Sequence, residues 1–150
     1  MKPKIAPFAV FLITVLVMYA LKRFLPFGYF DFFGRFYLMG ALLVVALIVG
    51  VTALLQFYRA NTTVNPMRPE NTRVLVTNGV YAISRNPMYF ALLLVLLAWG
   101  LWLGNAFNTL IAAGFVSFMN KYQISLEEKA LAKRFAKEYG DYLTKVRRWF

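Results

Sequence analysis

Residues 88–119 read MYFALLLVLLAWGLWLGNAFNTLIAAGFVSFM, two apolar runs that are separated only by Gly104 and Asn105. Neither run contains a charged residue. Glycine and asparagine are turn formers, so this pair favours a short connection between two helices. The sequence therefore predicts a tight helical hairpin over the runs at residues 88–103 and 106–119.

Two further apolar runs precede the hairpin, at residues 5–21 and 36–57. A helix that spans a membrane needs about 20 residues, a length that the second run exceeds and the first nearly reaches. The chain is 61% hydrophobic and 18% aromatic over 150 residues, more apolar material than a soluble domain of this size can bury. We expect an all-α integral membrane bundle of about four transmembrane helices.

The segment after Ser125 has a different pattern from the four apolar runs. Apolar residues recur there every three to five positions among charged ones, which is typical of an amphipathic helix at the interface or over the bundle. These residues are Leu126, Leu131, Phe135, Tyr139, Tyr142 and Val146. The expected organisation is a two-span scaffold over residues 1–58, followed by a loop, hairpin and C-terminal helix over residues 59–150 that form one structural unit.

The 17 basic and 6 acidic residues cluster between and after the apolar runs. With four spans, fourteen of the basic residues fall on the side of both termini and three on the other. The positive-inside rule then predicts a multi-pass protein with both termini and the loop at residues 58–87 in the cytoplasm. The bilayer is the expected partner. Nucleic acid is not, because basic flanks also orient spans and contact anionic lipid headgroups.

The chain has no cysteine and no histidine. Disulfides, thiolate nucleophiles, imidazole bases and the common transition-metal ligands are therefore excluded, and no metal site is expected. Any chemistry has to rely on carboxylates, arginines, amides and tyrosines.

Two polar motifs flank the hairpin. Residues 79–89 read GVYAISRNPMY and lead directly into the third apolar run, whereas Glu127 and Glu128 follow the fourth. A two-helix hairpin returns the chain to the side that it left, so Arg85 and the two carboxylates are expected to be neighbours at one end of the bundle.

Together these motifs resemble the membrane methyltransferases of the isoprenylcysteine carboxyl methyltransferase and phospholipid N-methyltransferase group. The resemblance extends over residues 63–149 and rests on the pattern G-x-Y-x-x-x-R-H-P-x-Y, a hairpin, a Glu-Glu pair, and a tail with phenylalanine and tyrosines. The matching residues are Gly79, Tyr81, Arg85, Asn86, Pro87, Tyr89, Glu127, Glu128, Phe135, Tyr139 and Tyr142. Asn86 departs from the pattern, because it replaces the usual histidine and cannot carry a proton near neutral pH.

The resemblance implies an enzyme that uses S-adenosylmethionine to methylate an acceptor with an apolar tail, either a prenylated cysteine carboxylate or a lipid amine. The cofactor-binding residues that it implies are Tyr81, Arg85, Asn86, Pro87, Tyr89, Glu127 and Glu128. Arg85 suits the cofactor carboxylate, a glutamate suits its ammonium group or ribose hydroxyls, and tyrosine rings suit its sulfonium or adenine. Arg85 and Glu128 are the expected catalytic residues, with Glu128 as the base for an amine.

Other interpretations of these residues and of the whole chain stay open. Ser125 and Glu128 also fit a capping box at the start of a helix, while Arg85 and Tyr89 also fit a basic anchor and an interfacial aromatic at the end of a span. Asn86 leaves room for a non-catalytic membrane scaffold or lipid-binding protein that retains the fold. A sterol-reductase-like enzyme that binds a nicotinamide cofactor is a further alternative.

Overall fold

Helices account for most of the computed structural model, which describes residues 5–25, 27–62 and 71–149. The α-helices are α1 (Pro7–Phe24), α2 (Arg35–Arg59), α3 (Pro87–Leu103), α4 (Asn108–Phe118) and α5 (Ser125–Lys145). A 3-10 turn at Gly79–Ala82 precedes α3, and a π-helical turn at Met119–Ile124 joins α4 to α5. These described ranges contain no β-strand beyond an isolated bridge between Tyr29 and Asn105. The predicted all-α class is confirmed. Lys2, Lys4 and Arg68, which entered the charge count, lie outside the described residues.

The first two helices are long and apolar enough to cross a membrane. Helix α2 has 25 residues and a mean hydropathy of 2.8, yet only 11% of its most apolar stretch is buried in the protein. Leu47 and Ile48 on α2 and Leu16 on α1 are largely exposed. Such surfaces are unfavourable in water and suit a lipid environment. Helices α3 and α4, with 17 and 11 residues, are shorter than the roughly 20 residues that a spanning helix needs.

The connection between α3 and α4 is the predicted tight turn. Gly104 has a φ of 64° and ends α3 by donating its N–H to the carbonyl of Gly100. The Asn105 side chain donates to the Phe27 carbonyl at 2.9 Å and accepts the Phe107 N–H at 2.9 Å. The hairpin is therefore fixed to the segment between α1 and α2. We call residues 27–35 and 104–107 the hairpin end of the bundle.

Helix α3 forms the centre of the bundle. Its residue Leu96 is fully buried, and it packs in one cluster with Met18 of α1 and with Phe115 and Met119 of the α4 side. On its other side α3 lies against α2, close enough that a Cβ added at Gly50 would be 3.5 Å from Ala91. These contacts fix α3 relative to α1, α2 and α4.

The chain remains helical from α4 through the π-helical turn into α5. Ser125 has helical dihedral angles, φ −63° and ψ −30°, and its hydroxyl donates to the Lys121 carbonyl at 2.8 Å. The capping-box interpretation of Ser125 and Glu128 is therefore wrong, because Ser125 lies inside a continuous helical segment and its side chain caps no helix N-terminus. The fourth helix instead continues beyond Asn120 through the π-helical turn.

The predicted amphipathic C-terminal helix is confirmed as α5, which is kinked at Ala136 (φ 37°, ψ −102°). Tyr139, Tyr142 and Val146 are buried in one cluster, against which Leu75 of the loop before α3 packs. The opposite face carries exposed charged residues such as Lys133 and Lys137. Helix α5 therefore lies over the end of the bundle where α3 begins, and we call this end the site end.

Candidate functional site

A cavity of about 680 Å³ lies at the site end. Its walls come from the N-terminus of α1, the C-terminal half of α2, the loop at residues 72–86, the first turns of α3, and α5. The lining includes every residue that the sequence analysis selected: Tyr81, Arg85, Asn86, Pro87, Tyr89, Glu127 and Glu128. The volume lies within the range of about 300–1,000 Å³ that is typical of small-molecule sites. The structure thus brings the two predicted motifs together around one space.

Gln56 of α2 holds the loop that carries the first motif. Its side-chain amide donates to the Asn78 carbonyl at 2.9 Å and accepts the Val80 N–H at 3.2 Å. Gly79 lies between these bonds with a φ of 57°, and a Cβ there would be 1.9 Å from Gln56 Nε2. Only glycine fits this position without displacing Gln56. Sequence reasoning missed Gln56, since no local pattern links it to a loop more than twenty residues away.

Tyr81 follows this turn and is buried. Its ring meets that of Phe57 edge to face, with centroids 5.2 Å apart, and its carbonyl accepts the Tyr142 hydroxyl at 2.6 Å. Burial, followed by the nearby Tyr142 and Glu127, raises the pKa of the Tyr81 hydroxyl above its usual range. Tyr81 therefore contributes a neutral aromatic ring and hydroxyl to the cavity wall.

Arg85 is the main cationic group on the cavity wall. Its side chain is only 13% exposed, and Nη1 lies 3.3 Å from Glu128 Oε1. That distance is short enough for an ion pair, but neither Nη1 nor Nε points at an acceptor among the described residues. A buried guanidinium with unsatisfied donors is costly, about 1–3 kcal/mol for each lost bond. The two unsatisfied nitrogens could donate hydrogen bonds to a ligand in the cavity.

Glu128 is held by a second arginine, which sequence reasoning missed. Arg148 Nε donates to Glu128 Oε1 at 3.0 Å, and Arg148 Nη2 donates to Oε2. This two-bond geometry fixes the carboxylate, and the bonds to Glu128 raise the pKa of Arg148. Glu128 therefore neutralises one of two arginines, which leaves one positive charge in excess beside the cavity.

The residues after α5, 146–149, form a C-terminal strap that binds the loop before α3. The Arg147 carbonyl accepts the Arg85 N–H at 3.0 Å, and the Arg148 carbonyl accepts the Asn86 side-chain amide at 2.9 Å. The Trp149 indole donates to Asn120 Oδ1 at 2.9 Å. Asn86, which replaces the histidine of the pattern, therefore makes a positioning contact with the strap while also lining the cavity.

Glu127 has an environment unlike that of its neighbour. The Tyr89 hydroxyl and the Gln123 side-chain amide both donate to its Oε1, each at 2.5 Å. Burial raises the pKa of the Glu127 carboxyl to about 7, although these two hydrogen bonds act in the opposite direction. Tyr89 and Gln123 are neutral donors. The two adjacent glutamates are therefore chemically distinct, one paired with arginines and one held by neutral groups.

The remaining predicted residues shape the cavity. Pro87 is the first residue of α3, where its missing N–H leaves no bond unmade. Tyr139 lines the cavity beside Arg85, and burial raises the pKa of its hydroxyl to about 12 despite the nearby guanidinium. Phe135 packs against the Tyr139 cluster. Within the described ranges, no group of three or more Asp or Glu side chains could hold a metal ion.

Comparison with known proteins identifies the family of this chain. The sequence profile of the phospholipid methyltransferase family matches residues 34–138, from the start of α2 to the middle of α5. The chain belongs to the phospholipid methyltransferase family. The predicted resemblance to membrane methyltransferases is thereby confirmed.

One relative of this chain is an uncharacterised protein of Haemophilus influenzae. The two are 50% identical over 62 residues, which amount to 98% of that protein and 41% of this chain. No solved structure matches the chain. Family membership thus assigns the chain to the membrane methyltransferases, while the cofactor and acceptor have to be argued from the site.

Proposed function

We propose that this protein transfers a methyl group from S-adenosylmethionine to an acceptor with an apolar tail, either a lipid amine or a prenylated cysteine carboxylate. The observation that carries the proposal is the Arg85 guanidinium, buried on the wall of a cavity of about 680 Å³ with two N–H donors unsatisfied. The family supports methyl transfer, and the cavity is lined by the residues that the resemblance implied for cofactor binding.

The cavity residues fit the charges of this cofactor, which has a carboxylate, an ammonium group and a sulfonium. Arg85 would hold the carboxylate through the donors that lack partners in the protein, because arginine binds carboxylates through paired hydrogen bonds. Glu128 would offer a negative charge to the ammonium group. The rings of Tyr81 and Tyr89 would face the sulfonium or the adenine, an attraction of about 0.5–2 kcal/mol.

When bound, the cofactor supplies an electrophilic methyl group on a positively charged sulfur. The protein's task is then to position the acceptor in line with that group and to exclude water. Most of the cavity wall is apolar and includes Phe8, Leu54 and Leu92 from three different helices. This wall suits the tail of a lipid or a prenyl group. A dry site favours a reaction in which a nucleophile meets a cation and charge is dispersed.

We also propose that the bundle spans the membrane several times, with both termini and the cavity on the cytoplasmic side. The excess of basic residues on the side of the site end supports this orientation. The apolar, exposed faces of α1 and α2 support insertion in lipid.

Calorimetric titration of the detergent-solubilised protein tests the cofactor assignment. We expect saturable binding of S-adenosylmethionine and no binding of reduced nicotinamide adenine dinucleotide phosphate. Glu128→Gln should weaken the binding of S-adenosylmethionine, whereas Glu138→Gln, the same change at an exposed site on α5, should not. Binding of the nicotinamide dinucleotide alone would support the reductase-like alternative. Failure of a folded sample to bind either would contradict the proposal.

A non-catalytic cofactor-binding scaffold is the second candidate, and Asn86 is the observation that favours it. Its amide is engaged with the Arg148 carbonyl, and it offers no titratable group where the family pattern has histidine. Transfer of a labelled methyl group to lipid extracts distinguishes the two candidates. Product above the level of an Arg85→Ala control supports the enzyme, while binding without product supports the scaffold.

A further inference from the structure

Glu127 combines three features that no other carboxylate at the site has. It borders the cavity, it is partly buried, and it contacts no arginine or lysine among the described residues. Both of its hydrogen-bond donors converge on Oε1, which leaves Oε2 without a donor from the described part of the chain. In Glu128, by contrast, Arg148 binds both oxygens. One carboxylate is committed to an ion pair and the other has an oxygen available to the cavity.

We propose that Glu127 is the proton acceptor of the reaction, that it deprotonates an ammonium group on the acceptor, and that Tyr89 and Gln123 orient it. The inference rests on the proposed methyl transfer and applies to the amine class of acceptor. It replaces the earlier expectation that Glu128 acts as the base, because a carboxylate bound by two arginines is a weak proton acceptor.

The step balances as follows. An alkylammonium group gives one proton to Glu127 Oε2, and the nitrogen regains its lone pair. That pair forms the bond to the methyl carbon while the carbon–sulfur bond breaks and its electrons stay on sulfur. The product is a methylated ammonium group that keeps its remaining protons, and Glu127 releases its proton to solvent. A carboxylate acceptor would require no base, since it is already ionised near pH 7.

The surroundings of Glu127 set the pH at which it can accept a proton. The groups that face it are Tyr89 from α3, Gln123 from the π turn, Tyr81 from the loop and Glu128 on α5. None of these is cationic, and Arg85 and Arg148 are paired with Glu128. Burial with only neutral donors raises the carboxyl pKa to about 7, which matches the poise expected of a general base near neutral pH.

The test is a pH–rate profile of methyl transfer to phosphatidylethanolamine in mixed micelles, with labelled S-adenosylmethionine. The wild-type rate should rise with pH and level off above about 7. In Glu127→Gln the rate at pH 7 should fall by about 100-fold or more, and it should keep rising with pH as the free amine forms. The affinity for S-adenosylmethionine should change by less than about 3-fold, and Glu138→Gln is the matched control.

Tyr89→Phe tests the role of Tyr89 through the pH dependence of the rate, which would not change if Tyr89 had only a structural role. Loss of this hydrogen bond removes a stabiliser of the carboxylate, so the inflection of the profile should move to higher pH. An unchanged profile in Glu127→Gln, or a loss of cofactor binding instead of rate, would overturn the inference. Saturable cofactor binding with transfer only to a prenylated cysteine carboxylate would overturn it too, while leaving the proposed function intact. Absence of cofactor binding would refute the proposed function itself.

Discussion

The bundle contains a buried arginine at each end, and the two differ in the space beside them. The side chains of Arg35 and Arg85 are 10% and 13% exposed. At the hairpin end, Arg35 Nη1 donates to the Phe30 carbonyl at 3.0 Å and the guanidinium stacks on Phe36. Arg35 Nε lies 3.4 Å from Asp31 and, like two of the Arg85 nitrogens, has no hydrogen-bond acceptor among the described residues. Protein atoms also fill the space beside it, since a Cβ at Gly104 would be 2.7 Å from Nη1.

At the site end, the space beside Arg85 is an open cavity, and two of its nitrogens have no acceptor within the described residues. Burial of an arginine therefore does not indicate a ligand site. The informative combination is burial, unsatisfied donors and adjacent space. This difference predicts that removal of the Arg35 side chain lowers the stability of the protein, whereas removal of the Arg85 side chain weakens cofactor binding.

The largest effect is expected from Arg85→Ala compared with Arg35→Ala. Loss of a buried charged hydrogen-bonding group to a ligand costs about 2–5 kcal/mol, so Arg85→Ala should weaken binding of S-adenosylmethionine by about 30-fold or more. Its thermal midpoint should change little. Arg35→Ala should lower the midpoint, yet its folded fraction should bind normally. Calorimetry with parallel thermal unfolding in detergent separates these results, and a reversal of the two phenotypes would contradict the comparison.

A smaller effect is expected from Gly79→Ala, which tests whether Gln56 holds the loop that carries the site. The new methyl group would displace Gln56 and strain a backbone with a φ of 57°, at an expected cost of about 1–3 kcal/mol of stability. Cofactor affinity should fall with it, because Tyr81 and Arg85 follow this turn. Gly140→Ala on α5 is the control, since nothing lies within 4 Å of its added Cβ. Equal effects of the two changes on unfolding would show that Gln56 does not hold the loop.

Asn86 should have a moderate effect through its contact with the strap. Asn86→Leu removes a hydrogen bond to the Arg148 carbonyl and should lower the free energy of unfolding by about 1 kcal/mol. Asn86→His retains an N–H donor and should preserve cofactor binding. Chemical unfolding monitored by tryptophan fluorescence measures the first expectation and calorimetry the second. A folded Asn86→His variant that fails to bind would show that the site requires the asparagine itself.

The smallest effect is expected at Ser125. Replacement of a helix N-cap by alanine costs about 1 kcal/mol, but Ser125 lies within a continuous helical segment and its hydroxyl bonds to the carbonyl four residues earlier. Ser125→Ala should therefore change the unfolding free energy by less than about 0.5 kcal/mol. A loss typical of a cap would indicate that Ser125 does act as a helix N-cap.

The sequence predicted the features that depend on local pattern. Charge-free runs and the Gly104-Asn105 pair were sufficient for the helices and the hairpin. The return of that hairpin was sufficient to place Arg85 near Glu127 and Glu128. These inferences need only the spacing of apolar residues, the turn-forming residues and the geometry of a helical hairpin.

The features that the sequence did not predict depend on contacts between distant residues or on a small change in helical winding. Gln56 and Arg148 are unremarkable in their local sequence, and their roles arise only when α2 and the strap reach the loop. The π turn before Ser125 has no recognisable sequence pattern, yet it keeps the chain helical up to Ser125, so that Ser125 is not an N-cap. Glu127 faces Tyr89 and Gln123, whereas Glu128 faces Arg85 and Arg148. The order of residues in the sequence does not show which of these partners each glutamate meets.

The central claim is that Arg85 binds the cofactor carboxylate, and binding of decarboxylated S-adenosylmethionine tests it most directly. The wild-type protein should bind S-adenosylmethionine at least about 30-fold more tightly than the analogue that lacks the carboxylate. Arg85→Ala should bind the two with similar affinity. Equal affinities in the wild type, or full discrimination in a folded Arg85→Ala protein, would contradict the account.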